Sequence, residues 1–294
     1  MVWSADGEVA AAPDRCPHRE APLSIGSVDE AAVLRCAYHG WGFALDGRCV
    51  DVPSSGPGTA VPPTAHLSCV RVALRYGLVW MCPGEPAGAI PDIAQDADPA
   101  FRRINTGVEV WQASATRMVD NFLDISHFPW VHTGTFGAGQ PTRVARLELG
   151  PLDDDFFGYA YEVDANNPDE AVATTGTDDA VVHRHMTTGF SVPLLVRSTI
   201  RYEDGLEHIL LLVSTPVDDD TSLFTFVVWR NDDHDVDAET VIAFDRAIGR
   251  EDQEMLEQVP GPLPLDRGDL VSVQSDKPSV EWRRRFRELI GDPI

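Results

Sequence analysis

Over the first eighty or so residues, apolar side chains come in short runs such as "AVLRCAYHGWGFAL" and "RVALRYGLVWMC". These either alternate with polar positions or read as buried strands, and Gly and Pro punctuate them. The pattern predicts a small all-β unit. The stretch 83–100, "PGEPAGAIPDIAQDADPA", holds no sustained periodicity and is rich in Pro, Ala and Asp, as an interdomain connection is. Beyond it, Met118, Val119, Phe122, Leu123, Ile125 and Phe128 form a helical stripe that Pro129 should end or bend. Six runs follow, "RVARLEL", "FFGYAYEV", "AVVHRHMTTGF", "LLVRSTIRY", "LEHILLLVS" and "LFTFVVWR", separated by turn-rich pieces such as "EDG" and "PVDDDTS". They predict a meandering antiparallel sheet. Residues 237–259 carry the longest helical pattern, with Val241, Phe244, Ile248, Met255 and Leu256 along one side. A basic helix is expected near 279–290. The fold class is therefore α+β in two domains, 1–90 and 100–294, without an internal repeat.

Composition narrows the setting. The chain has 294 residues, 43% of them hydrophobic, and no apolar run approaches the eighteen or so that a membrane span requires. Its N-terminus lacks a basic start followed by an apolar block, so cytoplasm is the expected compartment. Five cysteines, an odd number in a chain of this size, argue for metal binding or burial rather than disulfides. A net charge of −24 excludes nucleic acid and anionic membrane surfaces as natural partners. The charge is uneven: residues 1–82 hold six Arg/Lys against eight Asp/Glu, and residues 83–294 hold 17 against 39.

Two groups of residues carry candidate chemistry. Cys16 and His18 stand in "RCPHRE", and Cys36 and His39 stand in "RCAYHGW", seventeen residues beyond His18. Two loops that each offer one thiolate and one imidazole can clamp a two-iron cluster, with sulfurs on one iron and imidazoles on the other. A Cys₂His₂ zinc site or four unrelated core residues are the plainer alternatives. Cys49, Cys69 and Cys82 have no partner spacing and are expected to be buried small hydrophobes.

The second group lies in "NFLDISHFPWVH", residues 121–132. Two imidazoles plus one carboxylate, with positions left open, suit non-haem ferrous iron handling oxygen. His127 and His132 would supply the imidazoles, but five residues of regular helix turn through about 500°, so a bend near Pro129 is required. The carboxylate would come from the long helix. Asp252 falls four residues after Ile248 and four before Leu256, inside the apolar stripe, where an unpaired carboxylate is costly. Glu251 lies beside the same stripe, and periodicity leaves both open. Alternatively, both histidines are ordinary residues at a helix end and Asp124 a surface acid. His183 and His185 share a strand face and could line a pocket, or be merely packed.

"CPHREAPLSIG" and "CAYHGWGFALDGRCV" resemble the two ligand loops of the Rieske [2Fe-2S] domain of ring-hydroxylating oxygenases, and 117–132 resembles that family's iron-binding helix. The likeness extends over nearly the whole chain, including the closing "PGPLPLD…SDKPSVEWRRRF". It implies an N-terminal all-β Rieske domain followed by a helix-grip catalytic domain, the oxygenase-component α subunit of a Rieske non-haem iron oxygenase. It further implies a cluster on Cys16, His18, Cys36 and His39, mononuclear Fe(II) on His127, His132 and Asp252 rather than Glu251, and Asn121 near the iron. Asp124 would link an iron-bound histidine to the cluster of a neighbouring subunit in a homotrimer. Electrons would come from NAD(P)H through a separate ferredoxin or flavin reductase. The product would be a hydroxylated or oxidatively demethylated apolar or aromatic molecule, the pocket drawing on Met186, Phe190, Leu194 and Phe226. Further strands usually precede the first loop in that family, so the natural start is expected upstream. Arg15, Arg19, Arg35 and Arg48, near the loops, are expected to receive an acidic redox partner. From other classes, a Rieske-type electron carrier, an inactive relic that only binds, or a zinc-binding structural protein would share some of these residues.

Overall fold

The computed structural model describes residues 1–56, 58–232, 236–266 and 270–291. The chain divides into two compact units, Met1–Ala89 and Ile90–Ile294. None of its described helices is long and apolar enough to cross a membrane.

The first unit is built from hairpins. Strands β1 (Val2–Ala5) and β2 (Glu8–Ala11) pair antiparallel; β3 (Ser27–Val28), β4 (Leu34–Arg35), β5 (Gly42–Phe43) and β6 (Cys49–Asp51) form a second sheet; β7 (Arg71–Arg75) and β8 (Leu78–Cys82) form a third. Trp3, Leu23, Leu34, Phe43, Cys49 and Leu67 are buried together in its core. Cys49 is thus the buried hydrophobe expected, whereas Cys69 is exposed and Cys82 half-buried.

In the second unit, β9 (Arg102–Asn105) and β10 (Glu109–Trp111) lead to α1 (Ala115–Phe122) and α2 (Phe128–Val131). Strands β11 (Gly150–Pro151) and β12 (Phe157–Asn166) follow. After α3 (Val172–Thr175) come β13 (Val181–Ser191), β14 (Leu195–Arg201), β15 (Glu207–Pro216) and β16 (Ser222–Arg230), then α4 (Ala238–Leu256) and α5 (Lys277–Leu289). Among the described residues the strands form one eight-stranded antiparallel sheet ordered β10-β16-β15-β14-β13-β12-β11, with β9 also on β16. Register sets its inner face. Met186 stands opposite Ile200, Thr188 opposite Ser198, Ser198 opposite Leu210 and Leu212 opposite Phe226, and the two-residue period keeps such positions on one side. Met118 of α1, Val241 and Ile242 of α4, and Phe224, Phe226 and Val228 of β16 are buried in a single cluster.

Three expectations need correction. "RVARLEL" is not a strand: it alternates correctly, but it has no strand partner and only Leu147 of it is buried. A period-two pattern without a neighbour to bond has nothing to hold it extended. The helix expected over 116–128 ends at Phe122, seven residues before Pro129. Asp124 Oδ1 accepts the Ser126 N–H at 2.9 Å and Asp124 Oδ2 accepts the His127 N–H at 3.1 Å, so this side chain competes with the helix for its own backbone. Pro129 instead sits in the first turn of α2, where a missing N–H costs nothing. The short strands β9, with two arginines, and β10, with a glutamate, are absent from the sequence pattern; both are held by the outer edge of β16.

Candidate metal centres

The two loops of the first unit repeat one hydrogen-bond pattern. Cys16 N–H donates to Ala21 O and Glu20 N–H to Cys16 O, each at 2.9 Å; Cys36 N–H donates to Trp41 O and Gly40 N–H to Cys36 O, also at 2.9 Å. Glu20 and Gly40, at matching places, take left-handed backbone, φ 61° and 70°, which only glycine adopts without strain. Each loop therefore presents its cysteine inward and its histidine two or three residues further on.

Cys16 and Cys36 are 1% and 2% exposed. Burial pushes the Cys16 thiol up, and the neighbouring Cys36 adds to it. The two imidazoles meet at 4.5 Å between ring centres, His18 stacks on Trp41 at 4.5 Å, and burial, His39 and Arg19 all press His18 toward its neutral form. His18 Nδ1 is buried without a hydrogen-bond partner. A buried orphan nitrogen and two paired thiols are costly alone and are what a metal cluster would satisfy. One thiolate and one imidazole from each loop is the donor set that a two-iron cluster takes, with sulfurs on one iron and imidazoles on the other. Among the expected docking arginines, Arg15 pairs with Glu20, Arg35 with Asp29 and Asp51, and Arg48 with Asp46. Arg19 forms no ion pair among the described residues.

In the second unit, His127 immediately precedes α2 and His132 follows it, so the chain reversal brings their Nε2 atoms to 3.1 Å. Asp252 Oδ1 lies 3.4 Å from both. These three form a group able to hold a metal ion. His132 is 1% exposed and Asp252 6%. The outer nitrogens are already engaged: His127 Nδ1 donates to Asp124 Oδ2 and His132 Nδ1 to Glu251 Oε2, both at 3.0 Å. Carboxylates only accept, so each imidazole keeps a proton on Nδ1 and turns its Nε2 inward, the orientation a metal-binding histidine needs. Burial lowers the His127 pKa, but Asp124 and Asp252 override it and raise the group to about 9. Burial keeps His132 below the usual range despite Asp252. Burial would raise Asp124, yet its bonds to His127 and Ser126 hold it low. Such a carboxylate-rich, dry cluster attracts a cation, and a divalent metal fits it.

Asn121 Nδ2 donates to Asp252 Oδ1 at 2.9 Å. Glu251 was weighed in the sequence only as a rival ligand. Here its Oε1 accepts the Gly134 N–H at 2.8 Å and its Oε2 accepts the Thr135 hydroxyl at 2.6 Å as well as His132, making it a positioning residue.

A cavity of about 140 Å³ opens beside the three, bounded by His127, His132 and Asp252, by Phe122, Phe128 and Phe136, and by sheet residues including Tyr161, Arg184, Met186, Ser198, Leu212 and Phe226. Of the expected pocket residues, Met186 and Phe226 line it. Phe190 and Leu194 belong instead to the cluster around Val119 and Trp282. His183 and His185 do not line it either: they meet Asp164 and Glu162 on the opposite, solvent side of the sheet.

Residues 111–292 match the family "Vanillate O-demethylase oxygenase C-terminal domain", and residues 1–70 match "Rieske [2Fe-2S] domain". The chain is 32% identical to methylxanthine N1-demethylase NdmA of Pseudomonas putida, over 98% of this chain and 79% of that protein. It is 30% identical to a toluene-4-sulfonate monooxygenase iron-sulfur subunit, TsaM1, of Comamonas testosteroni, over 91% and 85%. The structure of Pseudomonas putida NdmA with caffeine superposes with a TM-score of 0.81 at 29% identity, over 98% of this chain and 80% of that one.

Proposed function

The chain belongs to the Rieske non-haem iron oxygenases, as an α subunit of their oxygenase component, and from that membership we propose that it removes a methyl group from an O- or N-methylated, largely apolar aromatic molecule. It is a terminal oxygenase, an enzyme that uses O₂ and electrons delivered by a ferredoxin or reductase. That role excludes the carrier and zinc-protein alternatives. Demethylation is preferred because the matched C-terminal family and NdmA both bear demethylase names. The balance is one O₂, two electrons and two protons per methyl group, giving formaldehyde, water and the free hydroxyl or amine.

In this reading Cys16, His18, Cys36 and His39 would hold the [2Fe-2S] cluster, and His127, His132 and Asp252 would hold Fe(II). When bound, these groups supply one-electron transfer and oxygen activation. The protein's own part is positional. Asp124 and Glu251 keep protons on the outer nitrogens of His127 and His132, and Asn121 fixes the rotamer of Asp252. The aromatic side chains around the cavity exclude water and pack against a ring. Its 140 Å³ suits about one aromatic ring, since a cavity of roughly 150 Å³ accepts benzene. Asp124 would also carry electrons in from a neighbouring subunit's cluster in a homotrimer working in the cytoplasm.

The observation that carries the proposal is the adjacency of this single-ring cavity to the His127, His132 and Asp252 donors. The test is anaerobic reconstitution with iron and sulfide, then NADH, a Rieske-oxygenase reductase and a panel of methoxy- and N-methyl aromatics. Formaldehyde equimolar with O₂ consumed is expected for some member. Hydroxylated products without formaldehyde, or no product from enzyme with both centres loaded, would refute demethylation.

A further inference from the structure

One cation on the cavity wall forms no ion pair among the described residues. Arg184, on the inner face of β13, is 4% exposed, lines the cavity, and its buried Nε has no hydrogen-bond partner. No carboxylate among the described residues lies within 4.0 Å of it. Arg230 nearby pairs with Asp232 at 3.0 Å; Asp245, also on the cavity wall, lies 3.1 Å from His208, outside hydrogen-bond geometry.

The contacts Arg184 does have are aromatic. Its guanidinium lies 5.6 Å from the Phe136 ring centre and 5.9 Å from that of Tyr202. At such distances a cation–π contact offsets only a small part of what removing a guanidinium from water costs. The aromatic contacts therefore leave most of that cost uncompensated. Placement matters too. Phe136 also stacks on His132 at 4.9 Å, so the cation lies one ring away from the candidate metal ligands. Tyr161 on the same wall, its phenol pushed up to about 12 by burial, stays protonated and can donate a second hydrogen bond.

We propose that Arg184 anchors an anionic group of the substrate, so that this oxygenase acts on aromatic acids: a single ring bearing a carboxylate or similar planar anion at the Arg184 end and presenting its methylated side to His127, His132 and Asp252. A planar fork meeting a planar carboxylate in a dry site gives both charge neutralisation and orientation. This deepens the demethylase reading and rests on the same cavity.

The test separates the two by measuring binding without turnover. Anaerobic holoenzyme is titrated calorimetrically with 2-, 3- and 4-methoxybenzoate and with the corresponding neutral methoxybenzamides. At least one acid should bind about 30-fold tighter than its amide, roughly 2 kcal/mol. Arg184→Gln should abolish the preference and Arg184→Lys should keep part of it. Amides binding as tightly as acids, a preference that survives in Arg184→Gln, or no acid binding at about millimolar concentration would each overturn the proposal. The wild-type acid-to-amide ratio decides even if the variants fold poorly. An acid that binds tightly but yields no formaldehyde would refute demethylation while leaving the anion anchor in place.

Discussion

Glu251→Gln is the sharpest perturbation of the candidate metal centre that leaves its three donors in place. The carboxylate takes three donors at once: His132 Nδ1 at 3.0 Å, Gly134 N–H at 2.8 Å and the Thr135 hydroxyl at 2.6 Å. An amide of the same shape must turn its NH₂ toward one of these, so at least one donor faces a donor. The charge-assisted bond to His132 becomes a neutral one, roughly half as strong. Together these should cost about 1.4–2.8 kcal/mol of metal binding, equivalent to 10–100-fold weaker iron affinity. The assay is anaerobic competition for Fe(II) against a chelator, with visible absorbance of the Rieske cluster as an internal control for the first unit. Thr135→Val, which removes one donor and leaves the charge, should weaken affinity by only a few-fold. Iron affinity of Glu251→Gln within threefold of wild type, with the fold intact by circular dichroism, would mean that Glu251 does not set the orientation of His132.

Three further outcomes are expected. Asp252→Ala should lose mononuclear iron and all product formation while retaining the cluster's absorbance, as metal analysis against visible spectra would register. Gly158→Ala should destabilise the second unit by about 3 kcal/mol or more, since a Cβ there would come within 2.0 Å of Thr188 O across the β12–β13 pair; an unchanged melting temperature would contradict this. Glu281 is held down at about 2 by Arg284 and by Arg285. Its folded pKa lies below its ordinary value of 4.5, so the stabilisation is complete above that pH and fades as the pH falls from 4.5 toward 2. Glu281→Gln should cost about 1 kcal/mol near pH 6 and nothing near pH 2, read from urea midpoints.

Most of the second unit's sheet was legible because its strands are long and half-buried. β13 to β16 each carry buried apolar side chains along their length, and their predicted spans differ from the observed ones only at the ends. Legibility failed where long-range pairing decides. β9 and β10 are short and charged and exist because β16 offers them an edge, whereas "RVARLEL" has the pattern and lacks the edge. The helix break at 123–127 is readable in principle from Asp124 followed by Ser126, the side chains that compete with helical hydrogen bonds, but the apolar stripe runs on past it to Phe128.

The candidate donors could be named from spacing, yet spacing could not assign their surroundings. Glu251 and Asp252 are adjacent on one helix, and about 100° of rotation separates their side chains. That rotation places Asp252 against both Nε2 atoms and sends Glu251 round to the far side of His132, so two neighbouring acids divide between coordination and orientation. The stripe of α4 left both open because each borders it. Arg184 was hidden for a different reason. In "AVVHRHMTTGF" it stands between two histidines that carry more obvious chemistry, and alternation alone says which residues share a face, not which face meets the cavity. Only the packing of α1 and α4 onto one side of the sheet turns His183 and His185 outward to pair with acids and Arg184 inward without one. A buried cation that pairs with no carboxylate among the described residues is therefore information that the tertiary structure adds, and it bears on the substrate because Arg184 lines the cavity beside the candidate metal donors.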